Sequence, residues 1–449
     1  MIAKTIVPLK RVLGLTSSLL LVAGIMIGTG VFKKIAPMAA SGLTETQIIA
    51  AWVVAGLITV FGALSVSGLA ELTSDSGGEY EYLRIIFGDF PAFIFGWASF
   101  TIIGSASVAA MSHLFAGAVQ SLFPSVFNVS VRSSNFLACF VIVVLTLLNS
   151  VGTQISARMN NVLTYLKIAG LTAIIVGAYF LYSGGPTIIT HVETKHTGSA
   201  NVVSVFFAAM LSAFWAYDGW LSVAFMTGEI KNPKQNLPKA IVGGILLVML
   251  LYVLVNLAFM KVMPLSQLGA MKDSEIAAAG VSHTIFGLYG NMLISLLVLI
   301  STLGSLNGII ITYSRMYYKM AADGYFFKGA EKVHARFETP HVALLYAMGM
   351  SCVLVFSGSF DMLTDMIVFA GFLFYGLLAV GLMMMRKNGK VKAVRIGYPI
   401  VPLLFILSSA LLLLNTLYTQ PLQALSGLGL MLSGVPFFYW FKSRSRKYA

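Results

Sequence analysis

The sequence predicts an all-α membrane protein with twelve transmembrane helices, of which helices 1 and 6 are unwound in mid-membrane. Of the 449 residues, 58% are hydrophobic and 10% are charged, whereas soluble domains carry about 25% charged residues. Twelve apolar runs are long enough to cross a hydrocarbon core of about 30 Å. Two of these runs contain glycine-bearing breaks, which are unusual because glycine in a helix interior costs about 1 kcal/mol relative to alanine.

The twelve apolar runs follow one another with short connections and no long polar segment between them. They cover residues 12–36, 47–70, 91–121, 135–151, 160–183, 201–229, 239–262, 284–319, 341–358, 362–385, 396–417 and 421–441. We therefore expect a multi-pass protein without a soluble domain, and we interpret the N-terminal run as a span and not as a cleaved signal peptide, because it continues past its glycines.

The basic residues predict the orientation of the chain. With the N-terminus in the cytoplasm, most of the 29 lysines and arginines fall on cytoplasmic loops, as positive-inside topology requires. Twelve spans then place both termini in the cytoplasm. The net charge of +13 is interpreted as this topology signal and not as a nucleic-acid surface. Cys139 and Cys352 lie inside apolar runs, so we expect neither a disulfide nor a metal site.

The first break lies in the first span, at Gly28, Thr29 and Gly30. Backbone without helical hydrogen bonds is tolerated in lipid only where it is buried in protein or lines a cavity. The half-helix that starts at such a break directs its free N–H groups and the positive end of its dipole at the site, which favours a carboxylate. The alternative interpretation is close packing of helices through small residues.

The second break lies in the sixth span and covers Trp215, Ala216, Tyr217, Asp218 and Gly219. An unwound segment exposes backbone carbonyls, which are suitable acceptors for an ammonium group. A carboxylate within a membrane span is costly and is a candidate for a functional role. The Asp218 side chain could attract a substrate ammonium directly, or it could cap the second half of the helix; both roles stay open.

The positions of the two breaks predict an internal repeat. Five spans separate the first break from the second, and an odd number of spans inverts the orientation. We therefore expect two inverted repeats, residues 1–183 (spans 1–5) and residues 201–385 (spans 6–10), followed by two further spans in residues 396–441. Interrupted helices at matching places in two repeats are typical of a transporter binding site.

Four motifs in order resemble the amino acid–polyamine–organocation superfamily, and the similarity covers essentially the whole chain. Gly28–Phe32 is similar to its G-S/T-G-I-F signature and Ser76–Tyr82 to its G-G-x-Y-x-Y loop. Glu229–Pro238 resembles the E-x-x-N-P-x-x-N-L-P that closes span 6, and Ser314-Arg315 resembles the S-R segment after span 8. The resemblance implies a LeuT-like arrangement of five plus five helices.

Within the superfamily the chain resembles the L-amino acid transporter family, especially the bacterial serine/threonine and alanine–serine–cysteine exchangers. Ala216–Trp220, Tyr252–Asn256 and Gly304–Gly308 carry this closer similarity. The family usually has phenylalanine where Trp215 stands, whereas arginine/agmatine antiporters have tryptophan. The loop between spans 3 and 4 lacks the cysteine with which animal members bond an ancillary glycoprotein. We therefore expect a protein of the bacterial inner membrane that works without such a partner.

The resemblance implies roles for backbone groups at both breaks. The carbonyls at Met26, Trp215 and Asp218 would accept the α-ammonium of the substrate, and the N–H groups at Gly28 to Gly30 would bind its carboxylate. The Trp215 ring would lie over the substrate side chain as a gate. Because tryptophan fills more of a pocket than phenylalanine, this residue favours small substrates.

Lys167 in span 5 is the residue that the resemblance ties to coupling. In the family, a lysine at this place stands where related symporters bind sodium. It would join the carbonyls of the first break to hydroxyls of span 8, for which Ser301, Thr302 and Ser305 are the candidates. The alternative is a lysine that extends its side chain to the cytoplasmic interface.

Aromatic and histidine side chains supply four further candidates. Tyr252 lies on one face of span 7 together with Asn256, and a contact with the substrate region and plain packing are both open interpretations for it. Phe374 and Tyr375 in span 10 are interpreted mainly as packing residues, with an outer gate as the alternative. His113 is interpreted as a hydrogen-bonded core residue. No sequence motif for a metal, a cofactor or a catalytic nucleophile is present.

These observations predict sodium-independent transport of small neutral L-amino acids of the alanine, serine and threonine class, by alternating access and as an obligatory exchange. The rival hypothesis is a proton-coupled symporter of the same fold that uses Lys167 as the proton site. A distant alternative is a non-transporting amino acid sensor, which would need a signalling segment. We expect no enzyme activity and no cofactor, with amino acids and the lipid bilayer as partners.

Overall fold

The computed structural model of the protein describes residues 11–73, 75–123, 126, 130–184, 202–271, 276–357, 360–392 and 397–448. Within these ranges the chain is helical and forms no β-strand, apart from one isolated parallel bridge between Leu13 and Ile230. The prediction of an all-α protein is therefore confirmed for the described part of the chain.

The helices are numbered here in chain order. They are α1 (Leu15–Met26), α2 (Gly30–Lys33), α3 (Ile35–Ala40), α4 (Glu45–Ser67), α5 (Gly78–Phe87), α6 (Asp89–Ala98), α7 (Gly104–Leu122), α8 (Val131–Ser150), α9 (Thr153–Val176), α10 (Val202–Tyr217), α11 (Pro233–Val262), α12 (Leu265–Gly269), α13 (Ala277–Phe286), α14 (Leu288–Ala322), α15 (His341–Leu354), α16 (Phe360–Lys387), α17 (Ile400–Thr419), α18 (Pro421–Leu432) and α19 (Gly434–Tyr448). Four tighter or wider turns extend or join them, the 3₁₀ segments Gly68–Glu71 and Ser222–Glu229 and the π segments Ser99–Ile103 and Gly177–Leu181.

Ten helical segments in the described ranges are long and apolar enough to cross a membrane, and some of them combine two adjacent helices. The predicted total of twelve is not confirmed, because two predicted spans are shorter than this criterion. Span 6 is divided into α10 and the 3₁₀ segment Ser222–Glu229, and span 9 corresponds to the 14-residue helix α15. The shortening of span 6 has a local cause, since Gly219 adopts a left-handed φ of 89° that no helix continues.

Small residues bring α1 close to the helices that surround it. A Cβ added to Gly308 of α14 would clash with Ile25, and one added to Gly244 of α11 would lie 2.6 Å from Cγ1 of Val22. On the α9 side, a Cβ added to Gly24 would lie 2.9 Å from Nδ2 of Asn160. The broken helix is therefore held in protein on several sides, which is the setting in which unwound backbone is stable in a membrane.

The end of the molecule at which α1 begins, called the lower end here, is closed by backbone pairing. The N–H groups of Val12 and Leu13 donate to the carbonyl of Glu229 at 2.9 and 3.0 Å, and Lys231 N–H donates to Leu13 O at 2.8 Å. The Glu229 carboxylate also accepts from Arg315 Nε at 2.7 Å in a fully buried ion pair. The segment before α1 is thereby fastened to the end of the 3₁₀ segment and to α14.

Candidate functional site

The two breaks meet at Gly30 and Ala216. A Cβ added to Gly30 would lie 2.5 Å from Cβ and 2.6 Å from Cα of Ala216. Real Cβ atoms do not approach other atoms this closely, so only glycine fits at position 30 while the backbone stays in place. The close contact joins the start of α2 to the end of α10, and the two unwound segments form one site.

Tyr252 of α11 connects the two breaks through hydrogen bonds. Its hydroxyl lies 2.6 Å from the carbonyl oxygen of Met26 and 3.1 Å from that of Ala216. The ring is fully buried and packs edge-on against Trp52 of α4, with ring centroids 5.5 Å apart. Tyr217 closes this aromatic cluster, since its hydroxyl donates to the Trp52 carbonyl at 3.2 Å.

Lys167 holds the first break from the opposite side. Its ammonium group donates to the carbonyls of Gly24 at 2.6 Å and Ile27 at 2.8 Å, and to the Ser305 hydroxyl at 3.0 Å. The side chain is fully buried, so the alternative of a lysine extended to the interface is wrong. Within the described residues, no carboxylate forms an ion pair with Lys167. Backbone carbonyl oxygens and the Ser305 hydroxyl are its hydrogen-bond partners.

Two of the three candidate hydroxyls of α14 reach the first break. Ser301 donates to the carbonyl of Ile27 at 2.8 Å, and Ser305 donates to that of Gly24 at 3.0 Å. Thr302 does not reach it, because its hydroxyl donates to Val298 of its own helix at 2.9 Å. The inclusion of Thr302 among the hydroxyls that bind the break is therefore corrected. Residues four apart lie on one face of a helix, whereas the adjacent residue is rotated by about 100°.

A cavity lies where the breaks meet. Its walls include most of the residues predicted at the two breaks, together with five from α7, α14 and the 3₁₀ segment that the sequence did not single out. The predicted ones are Met26, Gly28, Thr29, Gly30, Trp215, Asp218 and Gly219, and the additional ones are Ser107, Met111, Ser222, Ile309 and Tyr313, with Ile25 completing the wall.

Some polar groups of the first break are already hydrogen-bonded within the protein, and one is not. The Gly28 N–H donates to the Met26 carbonyl at 2.7 Å, and that carbonyl also accepts from Tyr252. Both groups are engaged within the protein, although both were predicted as contacts of a substrate. The Thr29 hydroxyl is buried and has no hydrogen-bond partner among the described residues. Thr29 is therefore a free polar group directed at the site.

Asp218 accepts a hydrogen bond from the Tyr375 hydroxyl at 3.1 Å. The 3₁₀ segment that follows has Leu221 as its N-cap and no side-chain cap, so the interpretation of Asp218 as a helix cap is wrong. Tyr375 also packs on Trp220 at a centroid distance of 5.2 Å. Phe374 packs against Phe95 of α6 at 5.0 Å, as expected for a packing residue. Of the proposed aromatic pair in span 10, only Tyr375 therefore bonds a site residue.

The remaining candidates lie away from the cavity. The His113 ring nitrogen Nε2 lies 2.9 Å from the carbonyl of Val355, in agreement with a hydrogen-bonded core residue. Asn256 donates to the Tyr252 carbonyl one helical turn earlier at 2.8 Å. Sequence reasoning missed Ser107 and Met111 because no motif marks them, although their spacing of four places them on one face of α7.

The geometry of the site by itself indicates a class of protein. Two interrupted helices surround a central cavity within an apolar helical protein, and this arrangement is typical of secondary transporters. The sequence pattern of the family described as Amino acid permease matches residues 13–440, and the chain belongs to that family. The resemblance to the amino acid–polyamine–organocation superfamily and its L-amino acid transporter family is thereby confirmed, and the protein is a multi-pass membrane transporter of amino acids.

Several curated proteins are similar over nearly the whole chain. The serine/threonine exchanger SteT of Bacillus subtilis is 29% identical over 97% of this chain and 98% of its own length. The b(0,+)-type amino acid transporter 1 of Mus musculus is 30% identical over 96% of this chain and 88% of its own length. The human cystine/glutamate transporter is 28% identical, with 97% and 86% covered. These comparisons give no support to the expectation that the chain works without an ancillary glycoprotein, which stays a prediction.

Proposed function

We propose that the protein exchanges small neutral L-amino acids of the alanine, serine and threonine class without sodium. The observation that carries this proposal is the position of Lys167. A buried ammonium occupies a cluster of oxygens from Gly24, Ile27 and Ser305. Such an oxygen cluster is suited to a hard cation. Because a fixed cation already balances these dipoles, the site does not require a sodium ion to hold the first break in its unwound form.

The groups that line the cavity support the proposed substrate class. The backbone of the two breaks offers contacts to the carboxylate and ammonium that every amino acid carries, so side-chain selection falls to the rest of the wall. Trp215 and Met111 reduce the volume, and the hydroxyls of Thr29, Ser107 and Ser222 suit a short polar side chain. The serine/threonine exchanger among the relatives supports the same class.

The proposed mechanism is alternating access between two repeats. Residues 1–183 and 201–385 form the inverted repeats, residues 396–441 add two spans, and twelve spans place both termini in the cytoplasm of a bacterial cell. The lower end of the molecule then faces the cytoplasm and is closed by the pairing of Leu13 with Glu229 and Lys231. Opening requires these bonds to break while Tyr252 holds the two breaks together and Lys167 holds the first break against α14.

The test of substrate class is uptake of labelled serine into proteoliposomes loaded with alanine, in buffers without sodium. We expect unlabelled alanine, serine and threonine to compete, whereas leucine, arginine and glutamate at the same concentration compete weakly. Equal competition by leucine or arginine would contradict the small neutral class. A requirement for sodium would contradict the role given to Lys167.

A proton-coupled symporter of the same fold is the second candidate. Lys167 has no carboxylate partner in the described part of the chain, and its amine would release and rebind the coupling proton. An imposed pH gradient would then drive uptake into vesicles that contain no amino acid. Uptake under these conditions, absent at symmetric pH, would favour symport over exchange.

A further inference from the structure

Glu79 is a buried carboxyl group that has no role in the transport cycle proposed above. It lies in the first turn of α5, between two predicted spans, and only 3% of its surface is exposed. Its Oε2 atom is buried and has no hydrogen-bond partner among the described residues. The neighbouring Glu81, in contrast, is paired with Arg84 at 2.8 Å.

Glu79 lies at the start of a helix that packs against the 3₁₀ segment Ser222–Glu229, whose last residue closes the lower end. The Gly77 N–H donates to the carbonyl of Phe225 in the 3₁₀ segment at 3.2 Å. A Cβ added to Gly78 would lie 2.7 Å from the Phe225 ring and 2.8 Å from the carbonyl carbon of Ala224. The start of α5 therefore packs closely against the 3₁₀ segment Ser222–Glu229 of span 6. Separation of the two segments would expose Glu79 to water.

Glu79 interacts electrostatically with four groups, which lie on its own helix, at the second break, on α14 and on α16. These groups are Tyr82 of its own helix, Asp218 at the second break, Tyr313 of α14 and Tyr375 of α16. Tyr313 lines the cavity, and Tyr375 donates to Asp218. None of these groups carries a positive charge. Two cations of α14 are paired with other carboxylates, Arg315 with Glu229 and Lys319 with Asp75, Glu81 and Asp323.

The balance of energies favours a protonated carboxyl in this closed form. The N-terminus of a helix stabilises a nearby anion only weakly. Burial of an ion without a partner costs considerably more than this stabilisation. Burial, together with the Asp218 charge, raises the pKa of Glu79 well above its ordinary value. Water that enters on opening would return this pKa towards the ordinary value of about 4.3.

We propose that Glu79 is a proton-binding site that is occupied while the lower end is closed and vacated when that end opens. The proposal rests on the transport function proposed above and adds a proton-linked step to it. One proton is taken up from the medium when the lower end closes, and the same proton leaves when the gate opens and the carboxylate is hydrated. Lowering the pH at the lower end therefore favours the closed form, and raising it favours opening.

The test follows opening directly with a reporter cysteine. Ser156→Cys is introduced after Cys139 and Cys352 are replaced by serine, because Ser156 is buried near the lower end and lines a small cavity beside Leu13. Its labelling rate by a water-soluble thiol reagent is measured in purified protein with and without Glu79→Gln. Dividing one rate by the other removes the ionisation of the reporter thiol itself.

Between about pH 6 and about pH 8, the labelling rate with Glu79 divided by that with Glu79→Gln should rise with pH, by up to about tenfold per unit. Asp75→Asn serves as the matched control, since Asp75 lies shortly before α5 and its side chain is 69% exposed. It should leave the pH dependence of the parent unchanged. A ratio that is constant with pH would overturn the proposal.

A second measurement covers the case in which Glu79→Gln fails to fold. The infrared spectrum of the parent protein should contain the C=O stretch of a protonated carboxyl. That component should disappear with Glu79→Gln and shift with Glu79→Asp, and it should persist with Asp75→Asn. An unchanged band in Glu79→Asp would overturn the proposal. Neither measurement depends on transport, so failure of the proposed exchange in vesicles is distinguished from failure of the proton site.

Discussion

The hydroxyl of Tyr252 lies 2.6 Å from the carbonyl oxygen of Met26, so a tyrosine of α11 donates to the last residue of α1. The same hydroxyl lies 3.1 Å from the carbonyl of Ala216 in the second break. One side chain thus connects two segments that are 190 positions apart in the sequence.

Tyr252→Phe should leave the protein folded and reduce transport. Loss of the hydroxyl leaves the Met26 carbonyl with the Gly28 N–H and removes the side-chain donor of the Ala216 carbonyl. An unsatisfied buried group costs about 1–3 kcal/mol, so we expect the exchange rate to fall about five- to 160-fold, which is that energy expressed as a rate ratio. The measurement is initial serine exchange in proteoliposomes. Tyr289→Phe, on an exposed side chain of α14, is the control, and equal rates for both variants would contradict the prediction.

Gly30→Ala should disable the site because its new methyl group would lie 2.5 Å from Cβ of Ala216. Gly28→Ala is the matched comparison, since its methyl group would meet the flexible end of Met111 at 3.0 Å, which is able to move. We expect at least a tenfold greater loss of exchange for Gly30→Ala than for Gly28→Ala. A smaller loss for Gly30→Ala would show that the breaks do not pack as described.

Lys167→Ala should abolish sodium-independent exchange. It removes the donor shared by the Gly24 and Ile27 carbonyls, which then keep only the serine hydroxyls of α14 as side-chain donors. A hydrogen bond to a charged group contributes about 1.5–3 kcal/mol. Exchange is measured with and without sodium, because a cation could replace the missing ammonium. Lys390→Ala, on an exposed loop after α16, is the control. Full activity of Lys167→Ala in sodium-free buffer would contradict the role of this lysine.

Trp215→Ala should change selectivity more than it changes the fold. Removal of the indole enlarges the cavity, so small substrates lose contact area at about 25 cal/mol per Å², while larger side chains gain space. We expect a higher KM for serine and new competition by leucine. The measurement is the ratio of the kcat/KM values for the two substrates. An equal loss for serine and leucine would remove Trp215 from the selectivity of the site.

The sequence was sufficient to locate both breaks and to select Lys167, because a glycine-rich interruption and a buried charge are costly in a membrane and therefore stand out. The choice among Ser301, Thr302 and Ser305 could not have been made from helical spacing, since residues three apart and residues four apart both share a face of a helix.

Other features could not be derived from the sequence because they depend on how distant helices pack. Nothing in α4 indicates that Trp52 supports Tyr252, and nothing in α7 marks Ser107 as part of the cavity wall. The engagement of Gly28 N–H by Met26 is set by the exact turn of the unwound backbone. Glu79 belonged to a recognised motif, but its burial depends on the contact of α5 with the 3₁₀ segment.

The most direct test of obligatory, sodium-independent exchange compares two vesicle preparations. Uptake of labelled serine is measured at symmetric pH and without sodium, into proteoliposomes that contain either unlabelled alanine or no amino acid. The account predicts rapid uptake into loaded vesicles and no uptake above protein-free vesicles into empty ones. Comparable uptake into both preparations would contradict obligatory exchange, and absence of uptake in loaded vesicles, with alanine and threonine also inactive, would contradict the assigned substrate class.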